Sequence, residues 1–216
     1  MDNGTDKGRP VDAEVGAGGR MDAVRVLAAY DEGVKAIEAV SPAVVDWNAS
    51  TPCAAWRCVD LAGHVLCVAR YYHRLLDAAL TGRPPSGLPR GEALAVMNGQ
   101  DLIELPETSG PERIRDFGRA ATAYGDRLRD QDWETSIGVW AGIGRLTIAE
   151  HTLLAVGEWH IHAWDLARAA GGDHQPADAE VVLAGRMILS GSLPDGEPWA
   201  ATLQGAGRPP SWKRRR

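Results

Sequence analysis

Apolar residues that recur at helical spacing constrain the fold of this chain more than any other feature of its sequence. The clearest segment begins at Pro111 and carries an apolar stripe formed by Ile114, Phe117, Ala121, Tyr124 and Leu128. Residues three or four positions apart lie on one face of an α-helix, and such a stripe is the face that a helix buries. Proline is favoured in the first turn of a helix. The segment is therefore predicted to be an amphipathic helix.

The same spacing predicts three further long helices and one short C-terminal helix. Their approximate ranges are 21–40, 59–80, 147–169 and 177–189. Proline and glycine separate the helices, above all in TGRPPSGLPRG at 81–91, since these residues end helices and favour turns. The segment 131–144 is predicted to be a loop or a short hairpin-like turn, and clear strand patterns are nearly absent. The predicted fold is therefore all-α, a four-helix bundle with an additional short C-terminal helix.

Composition divides the chain into three parts. Residues 1–20 contain many glycine and aspartate residues and almost no large apolar side chains. Such a segment buries too little surface to offset the entropy lost on ordering, so it is predicted to be disordered. Residues 21–171 hold the four long helices and form the predicted bundle domain. Residues 172–216 form a short extension, predicted to be helical in part and otherwise irregular.

The charge and hydropathy of the chain argue against several classes of partner. The formal net charge is −6, and the strongest basic cluster is the KRRR terminus, so a nucleic-acid partner is not expected. No apolar run reaches the length that a bilayer requires, and the first residues lack the apolar core of a signal peptide. We therefore expect a cytoplasmic protein that acts on a small molecule, with no membrane partner, and leave a homodimer open.

The fourth long helix carries a candidate pair of metal ligands in GEWHIHAWDLARAA, residues 157–170. Successive helix residues turn by about 100°, so Glu158 and His162 share a face while His160 points nearly the opposite way. Helical bundles build metal sites from inward Glu and His side chains. A Glu/His pair at this spacing also occurs by chance and then makes only a weak surface interaction. The metal interpretation therefore requires a third ligand.

His64, in the second predicted helix, is the candidate for the third ligand. It lies in CVDLAGHVLCVARYYHRLL at 58–76, among apolar residues. A lone histidine beside an apolar stripe is more often a hydrogen-bonded core residue than a ligand. If the second and fourth helices are neighbours, however, His64 can meet Glu158 and His162 across the bundle. Three protein ligands with open positions are typical of catalytic rather than structural zinc.

Two motifs in the chain resemble a known family. TPCAAWRCVDLAGHV at 51–65 and EWHIHAWDLARAAG at 158–171 are similar to the DinB-like superfamily, and in particular to the mycothiol-dependent maleylpyruvate isomerase N-terminal-domain family. The resemblance implies a DinB-like four-helix bundle that holds a divalent metal, usually zinc, through His64, Glu158 and His162. It also implies that the metal activates a low-molecular-weight thiol, which is mycothiol in the nearest branch.

These features favour a divalent-metal-dependent enzyme that acts through a mycothiol-type thiol, as a transferase or an isomerase. Two alternatives stay open: a metal- or ligand-binding accessory protein without turnover, and a thiol-independent isomerase or cyclase that uses the metal as a Lewis acid. His151, seven positions before Glu158, is a candidate proton carrier because imidazole titrates near neutrality, although a purely structural role is as plausible. Asp165 is a candidate for orienting a ligand, and ligation by cysteine is not expected.

Overall fold

A computed structural model describes residues 22–54, 56–89, 91–208 and 212. The predicted disorder of residues 1–20 lies outside this part of the chain. Within it, the helices are α1 Ala23–Val40, α2 Cys58–Leu80, α3 Gly91–Glu104, α4 Gly110–Leu128, α5 Ile148–Ala169, α6 Ala179–Ser190 and α7 Pro198–Gly205. The strands are β1 Ser86–Leu88, β2 Ser136–Trp140 and β3 Gly144–Thr147.

The core of the molecule is a four-helix bundle made of α1, α2, α4 and α5, as the apolar spacing predicts. In the bundle α5 packs on α1, and α2 packs on α4. The predicted stripe of α4 is buried along its whole length, at Ile114, Phe117, Ala121, Tyr124 and Leu128. Helix α5 is buried on nearly every side because α6 covers the face that the bundle leaves open. The predicted all-α bundle with an additional C-terminal helix is confirmed.

Capping residues fix where α4 and α5 begin. In α4 the Ser109 hydroxyl accepts from the Glu112 backbone N–H, and the Glu112 carboxylate accepts from the Ser109 backbone N–H. Thr147 and Glu150 form the same reciprocal pair at the start of α5. Such capping boxes satisfy backbone donors that have no partner inside the helix. The start of α5 is thereby set directly after β3.

Residues 131–144, predicted to be a loop or a short hairpin-like turn, include the turn of a hairpin: β2 pairs antiparallel with β3, and it also pairs parallel with β1. Two segments differ from the sequence-based expectation. Helix α3 was not predicted, because its residues between Gly91 and Glu104 form no continuous apolar stripe. Helix α7 lies in the extension, beyond the one short helix that was predicted there, and its residues Ala201, Thr202 and Leu203 are buried.

The described part of the chain holds no helix that is both long enough and apolar enough to cross a membrane.

The crossing of α5 and α6 depends on a close approach at Gly185. A Cβ atom at that position would lie 2.0 Å from the carbonyl oxygen of Leu153, which belongs to the backbone and cannot swing away. We expect Gly185→Ala to destabilise the fold by about 1–3 kcal/mol, measured by urea unfolding. Gly99→Ala is the matched control, because nothing lies within 4 Å of a Cβ there and alanine favours a helix. Equal stability of the two variants would contradict the close crossing.

Candidate metal centre

The structure brings His64, Glu158 and His162 together across the bundle. We call these three residues the His–Glu–His cluster. His162 Nε2 lies 3.3 Å from Glu158 Oε2, and His64 Nε2 lies 3.9 Å from the same oxygen. Both histidines are 4% exposed, so the cluster belongs to the interior rather than to the surface. One possible ligand atom from each residue lies within 4.8 Å of the others. Their role as metal ligands stays a prediction.

The hydrogen bonds of His162 call for a proton or a metal ion between His162 and Glu158. Its Nδ1 lies 3.0 Å from Oδ2 of Asp165, which is fully buried and accepts the Nδ1 hydrogen. In a neutral ring Nε2 then presents a lone pair, and that lone pair faces the Glu158 carboxylate. Two electron-rich atoms this close repel each other unless a proton or a metal ion lies between them. Burial lowers the pKa of His162, but the hydrogen bonds to Asp165 and Glu158 outweigh burial and raise it.

The donor set fits a divalent metal. Two imidazole nitrogens and one carboxylate oxygen form a common protein ligand set of catalytic zinc, which they bind at ~2.0–2.2 Å. Ligands at that range in a tetrahedron are roughly 3.3–3.6 Å apart, close to the 3.3 and 3.9 Å measured here. Burial lowers the pKa of His64, which favours the neutral imidazole that a metal requires. The cluster could therefore hold an ion after only a small adjustment of its side chains.

The C-terminal extension supports the cluster through Arg208, which binds the carboxylate that orients His162. Arg208 binds the Asp165 carboxylate through two donors, with Nε 3.1 Å from Oδ1 and Nη2 2.7 Å from Oδ2. Burial raises the pKa of Asp165, but the hydrogen bonds from His162 and Arg208 outweigh burial and hold it below its usual range. Asp165 thus stays ionised and fixes the ring of His162, as carboxylates often do for histidine ligands.

The cluster opens into a cavity of about 250 Å³ between α2, α3, α5 and α6. The indole of Trp56 covers the ring of His64, with the ring centroids 4.1 Å apart. Cys53 also lines the cavity, although no cysteine ligand was expected. His160, in contrast, points to α1, where its Nε2 donates to the Ala29 carbonyl at 2.9 Å, as helical spacing predicts. The cavity provides room for a small molecule next to the cluster.

His151 lines the same cavity but is held in an apolar environment. The ring of Tyr72 lies 4.4 Å away and that of Trp140 5.6 Å away, and its Nδ1 is 3.1 Å from the Tyr124 hydroxyl. Burial lowers the pKa of His151 to about 3. The predicted proton-carrier role rested on titration near neutral pH, and the low pKa opposes it. A neutral, hydrogen-bonding role for His151 fits the structure better.

The depressed pKa of His151 makes the stability of the protein depend on pH. The unfolded chain binds a proton at this residue near its ordinary pKa of 6.5, whereas the folded chain does so only near 3. Its contribution to stability is therefore complete above pH 6.5 and decreases by about 1.4 kcal/mol per pH unit as the pH falls towards 3. We expect His151→Gln to lose less stability than wild type between pH 7 and 5 in urea unfolding. Parallel curves would contradict this.

Two arginines near the cluster could not have been selected from the sequence. Arg186 of α6 and Arg208, just beyond α7, both line the cavity. They lie 24 and 46 residues beyond His162 in the sequence, in a region without a motif. Only the packing of the C-terminal extension on α5 brings them to the site.

Comparison with known proteins agrees with the fold. The sequence profile of the mycothiol maleylpyruvate isomerase N-terminal domain matches residues 26–167. Two solved structures are similar: the mycothiol-dependent maleylpyruvate isomerase, with a TM-score of 0.54, and a histidine-to-alanine mutant of it, with a TM-score of 0.55. Each is 20% identical to this chain, and the alignment covers 76% of this chain and 67% of that chain. A search of curated proteins gave no match.

The two structures support a shared fold, and the sequence profile covers more than half of the chain, including every residue of the His–Glu–His cluster. The chain therefore belongs to the mycothiol maleylpyruvate isomerase N-terminal domain family.

Proposed function

We propose that the chain is an enzyme that holds a divalent metal in the His–Glu–His cluster and acts through a low-molecular-weight thiol of the mycothiol type, as an isomerase or a transferase. The observation that carries the proposal is the convergence of two imidazole nitrogens on one carboxylate oxygen beside a cavity. Zinc is the ion that the donor set favours. The thiol is proposed because the similar solved enzyme is mycothiol-dependent.

The residues of the chain have distinct tasks in this mechanism. His64, Glu158 and His162 would hold the ion, whose chemistry when bound is to lower the pKa of a thiol so that the thiolate is the nucleophile at neutral pH. Asp165 accepts the Nδ1 hydrogen of His162 and so keeps its Nε2 directed at the cluster. Trp56 covers the outer face of His64 and limits the access of water to it.

The cavity determines how a substrate would reach the thiol. Leu94 and Met97 of α3 and Leu154 and Ile161 of α5 give its wall an apolar character. The polar lining consists of the cluster and a few further groups, among them His151 of α5 and Asn98 of α3. Such an arrangement of an apolar pocket with few convergent polar groups is typical of small-molecule sites.

An activity assay tests the proposal. Purified chain is incubated with mycothiol and a conjugated or electrophilic substrate, with and without a chelator, and then with added zinc. We expect turnover that requires the thiol, stops on chelation and returns with zinc. Metal binding without turnover would favour the non-catalytic accessory protein, and turnover without a thiol would favour the Lewis-acid isomerase or cyclase.

A further inference from the structure

Two polar groups in the cavity wall have no part in the proposed mechanism. Tyr72 of α2 and His151 of α5 both line the cavity, and they are 7% and 1% exposed. Their ring centroids are 4.4 Å apart in an edge-to-face arrangement, so both belong to the same region of the wall. Tyr72 lies eight positions after His64, and His151 lies seven positions before Glu158. Both are therefore roughly 10–12 Å from the His–Glu–His cluster along their helices.

The hydrogen bond between His151 and Tyr124 determines which nitrogen of His151 carries the hydrogen. Its Nδ1 lies 3.1 Å from the Tyr124 hydroxyl. Within the described ranges that hydroxyl has no other acceptor, so Tyr124 donates its hydrogen to Nδ1. Burial lowers the pKa of His151 to about 3, so the ring is neutral and carries one hydrogen. That hydrogen is then on Nε2, which makes Nε2 a hydrogen-bond donor.

The Nε2 of His151 and the hydroxyl of Tyr72 have no hydrogen-bond partner among the described residues, and we call these two groups the donor pair. In the same part of the chain, the fully enclosed polar atoms without a partner are Trp159 Nε1, Arg168 Nε and Arg186 Nε. The donor pair is not among them, so both groups open on the cavity. An unpaired donor in an apolar interior costs free energy, and a ligand oxygen that accepts its hydrogen removes that cost.

The surroundings of the donor pair favour an uncharged oxygen over an anion. Burial raises the pKa of Tyr72 well above its usual value, and the negative charge of Glu158 raises it further. His151 is packed against the rings of Tyr72 and Trp140. Both donors stay neutral at neutral pH, so a carboxylate here would lose its hydration without gaining a cation. A carbonyl oxygen needs only the two hydrogens.

The two arginines of the cavity are held at its opposite end. Arg208 donates to Asp165, the residue that orients His162. Arg186 donates to the carbonyl of Gly205, which is three positions before Arg208. The cavity therefore has a charged end at the His–Glu–His cluster and an uncharged end at the donor pair.

We propose that the donor pair binds an uncharged carbonyl oxygen of the substrate, with Tyr72 and His151 each donating one hydrogen bond. The assignment rests on the proposed function, which places the reacting atom at the cluster, roughly 10 Å away. The substrate class is then an elongated molecule with a ketone, ester or amide group remote from the reacting atom. Tyr124 is a positioning residue, because its hydroxyl keeps the hydrogen of His151 on Nε2.

Calorimetric titration of the full chain with acetophenone tests the donor pair, because this probe has one carbonyl oxygen on an apolar ring. The titration is made as purified and after chelation, which removes binding of the carbonyl by a metal ion. We expect Tyr72→Phe to bind acetophenone roughly three- to tenfold more weakly in both states, since one neutral hydrogen bond is lost. Benzoate, which has the same ring and a carboxylate, should bind equally to wild type and Tyr72→Phe.

Tyr30→Phe is the matched control. Tyr30 is also a buried tyrosine, but its hydroxyl donates to the Ala121 carbonyl at 2.8 Å. This variant should lose stability in urea unfolding and bind acetophenone as wild type does. Tyr72→Phe should show the opposite pattern, with equal or higher stability and weaker binding, since its hydroxyl has no protein partner to lose. A loss of stability in Tyr72→Phe like that in Tyr30→Phe would indicate a structural hydroxyl and would overturn the inference.

Infrared spectroscopy of bound acetophenone, isotope-labelled at its carbonyl carbon, gives a second readout that does not depend on stability. A hydrogen bond lowers the stretching frequency of a carbonyl group. We expect a shift to lower frequency on binding to wild type, and a smaller shift in Tyr72→Phe and in His151→Leu. No binding or no shift in wild type, or the affinity of wild type in Tyr72→Phe, would overturn the inference.

Metal content and turnover of the same samples separate this inference from the proposed function. Absence of a divalent ion from wild type would contradict the proposed function, whereas acetophenone binding is measured without the ion as well. Acetophenone binding that does not depend on Tyr72, in a chain with intact metal content and thiol-dependent turnover, would contradict the substrate class only.

Discussion

Replacing His162 by alanine is expected to yield a folded chain that no longer retains its divalent ion. The variant removes one of three converging ligand atoms, and two protein ligands do not make the sites in which catalytic zinc is held. The affinity for the ion should fall by more than the roughly 10- to 100-fold that follows from removing a residue that only hydrogen-bonds to a metal ligand. Elemental analysis after extended dialysis measures the effect.

His160→Gln is the matched control for this prediction. His160 is a buried histidine on the same helix, two positions before His162, but it bonds to Ala29 and His174 rather than to the cluster. We expect it to keep the ion content of wild type. If both variants lost the ion equally, or if neither did, the assignment of ligands by helix face would be wrong.

A second large effect is expected at Arg208, which supports the cluster without being one of its ligands. Replacing Arg208 by methionine is expected to destabilise the fold by about 3–5 kcal/mol, because Asp165 is fully buried and would keep a charge without its main partner. The variant should also bind the metal 10–100 times more weakly, since Asp165 orients His162. Urea unfolding and competition with a chromophoric chelator measure the two effects.

The double variant Asp165→Asn/Arg208→Met, compared with Asp165→Asn and Arg208→Met alone, tests whether the destabilisation has this cause. Removing the carboxylate charge together with the guanidinium leaves no uncompensated ion, so part of the stability should return. Additive losses in the double variant would mean that the pair is not coupled. Unchanged stability in Arg208→Met would mean that the extension does not support the cluster at all.

The bundle helices could be predicted because their local signals are strong and agree with the packing. Every apolar residue of the α4 stripe is buried in the bundle, and α5 begins at a Thr–Glu capping box. Helix α3 lacks this agreement. The face that it turns to the cavity consists of Leu94, Met97, Asn98 and Asp101, which are spaced for a helix but are half polar. A helix that lines a cavity has polar as well as apolar residues on its inner face, so its sequence shows no continuous apolar stripe.

The cluster could be predicted from the sequence only in so far as the packing of α2 against α5 could be predicted. The spacing of Glu158 and His162 shows that they share a face, but only the contact between α2 and α5 brings His64 to them. The positions of Arg186 and Arg208 depend on how the extension returns across α5, and no local pattern encodes that path. Asp165 illustrates the same point: its position three residues after His162 allowed the bond to Nδ1 but did not require it.

X-ray absorption spectroscopy of the zinc-loaded full chain tests the central claim most directly, since it reports the atoms bound to the ion. The three side chains predict only nitrogen and oxygen at ~2.0–2.2 Å, with imidazole scattering from two rings. Sulfur at ~2.3 Å would indicate that a cysteine such as Cys53 holds the ion instead, and would contradict the account. A chain that takes up no zinc under these conditions would contradict it as well.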